Sequence, residues 1–297
     1  MANGIINVYK EQGFTSFDVV AKLRGMLHQK KIGHTGTLDP DAQGVLPVCL
    51  GKATKVCDLL TDKDKVYEAV LLLGKRTDTL DISGEVLEER AVQVDEELVR
   101  ETIMSFVGEI EQIPPMYSAL KVNGQKLCDL ARKGVTVERK SRKVTIHSID
   151  IIEVKLPEVR FSVHCSKGTY IRTLCDDIGQ KLGCLGCMKS LIRTRVDMFA
   201  LENALKLDEI QRLVDDNRIE EAILPIDMVF NGYARIHTKE EALKLVSNGN
   251  KVPLDLVMEV DIKEDKVRLY DHNDRFIGIY QYDRKNLLYK PIKIFME

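Results

Sequence analysis

Between Gly33 and Pro47 the chain reads GHTGTLDPDAQGVLP, in which Asp39 sits among glycines, threonines and prolines. Such a run cannot be regular helix. Pro40 biases Asp39 toward an extended backbone, and Gly33, Gly36 and Gly44 permit close approach of main chain to a ligand. A carboxylate in this setting can attack covalently or stabilise positive charge that develops in a transition state. An aspartate in such a loop also serves as a turn cap. Residue type and spacing leave both readings open.

Other chemistries fit less well. Six residues separate Gly44 from Gly51-Lys52, and Ala53 follows; a phosphate-cradling P-loop has four and then Ser or Thr. The histidines lack zinc-binding spacing, and no GxSxG nucleophile motif is present. Cys184 and Cys187 form a CxxC without a second ligand pair, which suits buried thiols better than zinc or redox chemistry.

The elements that must position Asp39 follow from periodicity. Gly4 to Tyr9 reads as a strand. Thr15 and Asp18 are spaced as a capping-box variant for a helix carrying Val19, Val20, Leu23 and Leu27. Val66 to Leu73 is β-branched and aliphatic, a strand ending at Gly74. Asp95 can cap a helix bearing Val99, Ile103 and Phe106, stopped by Gly108. Val144–Val154 and Val159–Cys165 alternate as paired strands. The turn Ser166–Thr169 leads into a helix carrying Leu174, Ile178 and Leu182, ended by Gly183. Strands and helices mix without βαβ alternation, which predicts α+β. A second unit begins near Phe230. Thr238-Lys239-Glu240-Glu241 reads as a capping box for a short helix ended by Gly249. Strand-like runs follow at Leu256–Val260, Lys266–Tyr270 and Phe276–Tyr282, with a turn at Asp271–Asp274, as in a small β-barrel-like domain.

The 297 residues allow one large and one small domain. With 44% hydrophobic and 30% charged residues, the composition is that of a soluble globular chain. No run is long and apolar enough to span a membrane, no signal-peptide pattern opens the chain, and scattered cysteines suit a reducing cytoplasm. The net charge of −2 does not announce a nucleic-acid binder, but its distribution is uneven. Ala21–Leu38 has Lys22, Arg24, Lys30 and Lys31 and no acid. Lys121–Lys143 has eight Lys/Arg against two acids. Acids gather at Glu85–Glu101 and Asp208–Glu221. One-signed patches can hold a polyanion on a nearly neutral protein. The Lys121–Lys143 stretch, with Gly124 and Gly134, reads as a mobile basic segment.

The loop Gly33-His34-Thr35-Gly36-Thr37-Leu38-Asp39-Pro40, with Ala42, Gly44, Leu46 and Pro47, resembles the signature of the TruB family of pseudouridine synthases. Further segments agree in the family's order. Tyr67 leads to Gly74-Lys75-Arg76-Thr77-Asp78-Thr79, then Asp81 and Gly84. Pro114–Lys121 precedes Gly124 and Ala131-Arg132. Cys165–Leu174 is followed by Asp177, Gly179 and Leu191. The resemblance covers essentially the whole chain. Glu11 departs from the usual Pro after Lys10, and Ile192 from the Arg common after Leu191.

The resemblance implies a catalytic domain over residues 1–230, with a mixed, largely antiparallel sheet, and a PUA-like RNA-binding domain over 231–297. It implies isomerisation of the T-loop uridine of tRNA, position 55, to pseudouridine. Asp39 is then the catalytic carboxylate, Arg172 its partner keeping it ionised, and Tyr67 the residue stacking on uracil. His34, Gly36, Lys10, Tyr170 and Leu191 would bind substrate, His34 entering the T-loop stack and Leu191 closing the pocket. Without the family, Tyr67 reads as a half-buried strand residue, Arg172 as a helix-surface charge and Leu191 as core. No metal and no cofactor is expected, and the enzyme should act on the tRNA T-arm as a cytoplasmic monomer. Two other readings are a tRNA-binding folding factor and a guide-RNA-dependent pseudouridine synthase subunit.

Overall fold

The computed structural model describes residues 1–122, 124–258 and 264–296. The chain opens with β1 (Gly4–Lys10), α1 (Ser16–Met26), β2 (Ile32–His34), β3 (Gln43–Leu50), α2 (Cys57–Thr61) and β4 (Lys65–Leu73). The paired β5 (Lys75–Thr77) and β6 (Val86–Glu89), then α3 (Glu96–Met104) and β7 (Gly108–Gln112), come next. The paired β8 (Lys121–Val122) and β9 (Gln125–Lys126) run into α4 (Leu127–Ala131). There follow β10 (Arg142–Lys155), β11 (Glu158–Cys165), α5 (Ile171–Lys181), β12 (Gly186–Val196), β13 (Phe199–Ala200) and α6 (Leu207–Asp215). The C-terminal part holds β14 (Ala234–His237), α7 (Leu243–Ser247), β15 (Val252–Pro253), β16 (Lys266–Tyr270), β17 (Phe276–Asp283) and β18 (Leu288–Ile294).

The main sheet runs β1-β3-β12-β4-β11-β10-β7, with β2 beside β3 and β13 beside β12. Its pairings are antiparallel except that of β12 with β3. This is the α+β, largely antiparallel architecture expected from the sequence. Side chains of a strand point alternately to opposite faces. In β4 the inward set is Lys65, Tyr67, Ala69, Leu71 and Leu73, and the outward residues are only half-buried. The inward face packs on α3 and α5 through Val99, Ile103, Leu174 and Ile178. At the other end, α1 and α6 cover β1 and β3 through Val19, Leu23 and Ile210.

The capping box predicted for α1 is present: Asp18 N donates to Thr15 Oγ1 at 3.1 Å and Thr15 N donates to Asp18 Oδ2 at 2.8 Å. It starts the helix where Ser16 Oγ can accept from Leu38 N at 2.9 Å, tying the start of α1 to the Asp39 loop. Asp95 caps α3 by accepting from Leu98 N at 2.8 Å. That helix ends earlier than predicted. Phe106 lies beyond it yet still packs on the core, and Gly108 opens β7 instead of closing the helix.

The second sheet runs β14-β16-β17-β18-β15 and curls as a PUA-like unit would. The strand predicted at Leu256–Val260 is not formed at its start, where Leu254–Leu256 is a 3-10 turn; residues 259 and 260 lie outside the described set. The capping box at Thr238 is also corrected. Thr238 pairs with Val257 in an isolated bridge, its Oγ1 is buried without a partner, and Lys239 stands at the start of the following turn. The bridge draws the Thr238 side chain inward, away from the helix start. The second sheet docks on the first through an apolar cluster in which Phe230, Ile279 and Phe295 meet Ile5, Val45 and Cys49. Main-chain carbonyls add two ties: Lys55 Nζ donates to Ile294 O at 2.7 Å, and Lys293 Nζ donates to Lys55 O at 2.6 Å.

Candidate active site

Asp39 lies in the connection between β2 and β3. Its loop is held from below by three contacts. Leu38 N donates to Ser16, Gly13 N donates to Pro40 O at 2.9 Å, and Lys10 Nζ donates to the same carbonyl at 3.1 Å. Gly44 permits the loop to land on the sheet: its φ is +104°, and a Cβ there would stand 2.2 Å from Arg193 O. No other residue type can make that approach without moving β12 away from β3.

Arg172, on the first turn of α5, meets Asp39 with a two-pronged grip. Nε lies 3.0 Å from Oδ2, and an Nη donates to Oδ1 at 3.2 Å. The guanidinium is 5% exposed and is held by the carbonyls of Thr79 at 3.1 Å and Tyr117 at 2.7 Å, with Asp81 at 3.6 Å. Such planar pairing orients a carboxylate as well as stabilising its charge. The helix-surface reading of Arg172 is thereby excluded.

Tyr67 and Leu191 come to the site from adjacent strands. In the β4/β12 register Tyr67 stands opposite Arg193 and Ala69 opposite Leu191, so all four point to the inward face. Tyr170, the residue before α5, is pinned by Gln112, which accepts from its N at 2.8 Å and donates to its O at 3.0 Å. Together Gly36, Asp39, Tyr67, Tyr170, Arg172 and Leu191 line a cavity of about 340 Å³. That is at the lower end of the roughly 300–1,000 Å³ usual for small-ligand pockets.

Lys10 and His34 do not line it. Lys10 is buried beneath the loop. His34 faces a separate depression with Phe17, Arg24, Lys30 and Lys31, and its Nδ1 accepts from Gly36 N at 3.3 Å. The acid-free basic stretch thus forms a face beside the loop.

The electrostatics differ from the simple picture of a salt-bridged acid. Burial pushes the Asp39 carboxyl above the usual carboxylate range, and Arg172 opposes this without cancelling it. Loss of water and the neighbouring guanidinium thus act on the Asp39 carboxyl in opposite directions. Burial likewise brings the Lys10 amine down to about 8, Asp39 pulling the other way. It raises the Tyr67 hydroxyl, against the pull of Arg193, and lowers His34, with Arg193 adding to the effect.

Arg193 was not anticipated. It is 1% exposed, its Nε donates to Val45 O at 2.7 Å, and an Nη reaches Gly36 O at 3.5 Å. It links β12, β3 and the Asp39 loop under the cavity, which it lines together with Lys65 and Ser118. The signal was period two: Arg193 follows Leu191 at the next inward position, whereas Ile192 faces the other way, opposite Glu68. Also unforeseen is a group away from the cavity, Asp64, His147 and His164, whose ligating atoms all lie within 4.8 Å of one another.

Known proteins match both the sequence and the fold. A family model described as TruB family pseudouridylate synthase, N-terminal domain, matches residues 24–171, and one described as tRNA pseudouridylate synthase B C-terminal domain matches 172–231. A protein of Lachnoclostridium phytofermentans named tRNA pseudouridine synthase B is 57% identical, covering 99% of this chain and 100% of its own. A Clostridium kluyveri protein of the same name is 46% identical over 99% and 100%. Among solved structures, one titled as an H/ACA ribonucleoprotein bound to a substrate RNA containing 2′-deoxyuridine matches with a TM-score of 0.73 and 26% identity, covering 99% of this chain and 85% of its own. The fold is that of a pseudouridine synthase. Within that class, the chain belongs to the TruB family of pseudouridylate synthases.

Proposed function

We propose that this enzyme isomerises the T-loop uridine of tRNA, position 55, to pseudouridine, with Asp39 as the essential carboxylate. The observation that carries the residue assignment is the Asp39–Arg172 pair, set in a base-sized cavity between Tyr67 and Leu191. The relatives' shared name supports the substrate.

The reaction is redox-neutral. The bond from uracil N1 to ribose C1′ breaks, the base turns, C5 bonds to C1′, C5 loses its proton and N1 gains one. Ionised Asp39 attacks the sugar or base, or stabilises the charge that develops. Arg172 holds that carboxylate in one orientation. Tyr67 and Leu191 sandwich the detached base so that it turns without escaping. The uridine must first be flipped from its loop, at a cost of a few kcal/mol. His34, at the edge of the basic face of Arg24, Lys30 and Lys31, takes the vacated position while those cations hold phosphates.

Residues 231–297 act as an accessory RNA-binding domain, and the enzyme works as a monomer on the T-arm in the cytoplasm. No helix among the described residues is long and apolar enough to cross a membrane. The test is to incubate the pure protein with unmodified tRNA and map pseudouridine. Modification of the T-loop uridine with no guide RNA present is expected. Activity that requires an added guide RNA would assign the chain to the guide-dependent type, and binding without modification would leave it a folding factor.

A further inference from the structure

The outer face of the central sheet, away from the cavity, carries Asp64, His147 and His164. Asp64 immediately precedes β4, and the two histidines lie on the neighbouring strands β10 and β11. In sequence the histidines are unrelated. The hairpin brings them together through a bulge: Ile146 pairs with Cys165 and Ser148 with His164, so His147 is the extra residue. A bulge redirects a side chain and is a common device beside functional sites. Here His147 and Ser148 both turn to the outer face opposite His164, and the imidazole centroids come within 4.6 Å. Asp64 Oδ2 lies 3.2 Å from His147 Nε2 and 3.9 Å from His164 Nε2.

Two imidazoles and one carboxylate are the donor set of a borderline divalent cation such as Zn²⁺ or Co²⁺, rather than of Mg²⁺ or Ca²⁺. Metal–ligand bonds of about 2.0–2.1 Å in a tetrahedron place neighbouring donors about 3.3 Å apart. The present separations need only small side-chain rotations to reach that spacing. All three groups are partly open to solvent, so water can complete the shell. The nearby cation Lys63 is paired with Asp197 at 3.2 Å.

We propose that Asp64, His147 and His164 bind one divalent transition-metal ion on the face opposite the uridine pocket. The bound ion clamps the start of β4 to the end of β11. Their adjacent inward residues, Lys65 and Cys165, point toward the pocket side, and Ser166 hydrogen-bonds Thr145 at the root of the loop that carries Tyr170. The site is therefore a structural brace for that loop, independent of the isomerisation chemistry.

The test uses the full chain stripped with chelator and titrated with Co²⁺, followed by calorimetry and absorption. One equivalent should bind without a thiolate-to-metal charge-transfer band, Zn²⁺ should displace it, and metal should raise the thermal transition. Loss of an outer-shell partner alone costs about 10–100-fold in metal affinity, so His147→Gln, His164→Gln and Asp64→Asn should each weaken binding at least that much. These positions are on the surface, and thermal melts of the apo variants verify folding. Absence of saturable binding, a thiolate band, or unchanged affinity in all three variants would overturn the proposal.

Discussion

Arg172 grips both carboxylate oxygens of Asp39 across 133 positions of chain, at 3.0 and 3.2 Å. The pair joins the first turn of α5 to the loop between β2 and β3, elements that share no local sequence pattern. The burial of Asp39 also sets a pH dependence. The Asp39 carboxyl is raised above its ordinary range by burial. A folded chain with such a group binds the proton more tightly than the unfolded chain does. This contribution therefore favours the native state at low pH and is lost as pH rises through the raised pKa. Catalysis runs the other way, because it needs the ionised form.

Asp39→Asn should accordingly reduce turnover by about 10³-fold or more while tRNA binding persists. The kcat/KM profile of the wild type should climb with pH through a value above that of a free aspartate. Pseudouridine mapping and filter binding test the first point, and a pH series tests the second. Normal turnover by a clean Asp39→Asn preparation would remove Asp39 from the chemistry.

Tyr67→Phe keeps the ring that faces the base and removes only the buried hydroxyl. It is expected to bind tRNA normally and to react about 10²-fold more slowly, the lower end of what a positioned proton donor or acceptor contributes. Single-turnover rates decide the matter; a wild-type rate would leave the ring with stacking alone.

Arg193→Met retains length but abandons the carbonyls of Val45 and Gly36. Losing charge-assisted hydrogen bonds in the interior should cost about 1.5–3 kcal/mol of stability. Because those bonds underpin the Asp39 loop, kcat should fall with little change in tRNA affinity. Urea unfolding and steady-state kinetics are the measurements, and unchanged stability would show that the link is dispensable.

The described residues of the basic segment 121–143 include the β8–β9 pair and α4, and Lys126, Lys133 and Lys140 are exposed beside the segment whose Ser118 and Leu120 line the cavity. We expect protease to cut the free protein here and tRNA to block the cut, since the cations would then lie on phosphates. Equal cleavage with and without tRNA would argue that this segment does not cover the RNA.

A chain ending near Asn231 should raise KM for tRNA more than it lowers kcat, and should flatten the salt dependence of binding. It should also melt earlier, because Ile279 and Phe295 leave the apolar cluster they share with Ile5, Val45 and Cys49. Kinetics and a thermal scan of the truncated protein separate these effects. A folded product with collapsed kcat and unchanged KM would mean that the C-terminal sheet serves the active site directly.

Short-range patterns were legible in the sequence because local physics settles them. The Thr15–Asp18 cap, the β-branched and aliphatic run Val66–Leu73 and the hairpin of Val144–Cys165 each depend on side chains within a few residues or on one tight turn. The Asp39 loop was legible for a different reason: its glycines and prolines, and its likeness to a known family, marked it before any contact was seen. What the tertiary structure alone decided is the order of strands. Inserting β12 between β3 and β4 sets Arg193 opposite Tyr67 and beneath the loop. A one-residue bulge sets His147 beside His164. Burial, which only the assembled layers create, pushes the Asp39 carboxyl up even within its pair with Arg172. Distant strands choose partners by burying apolar faces together, and that choice belongs to the whole chain rather than to any window of it.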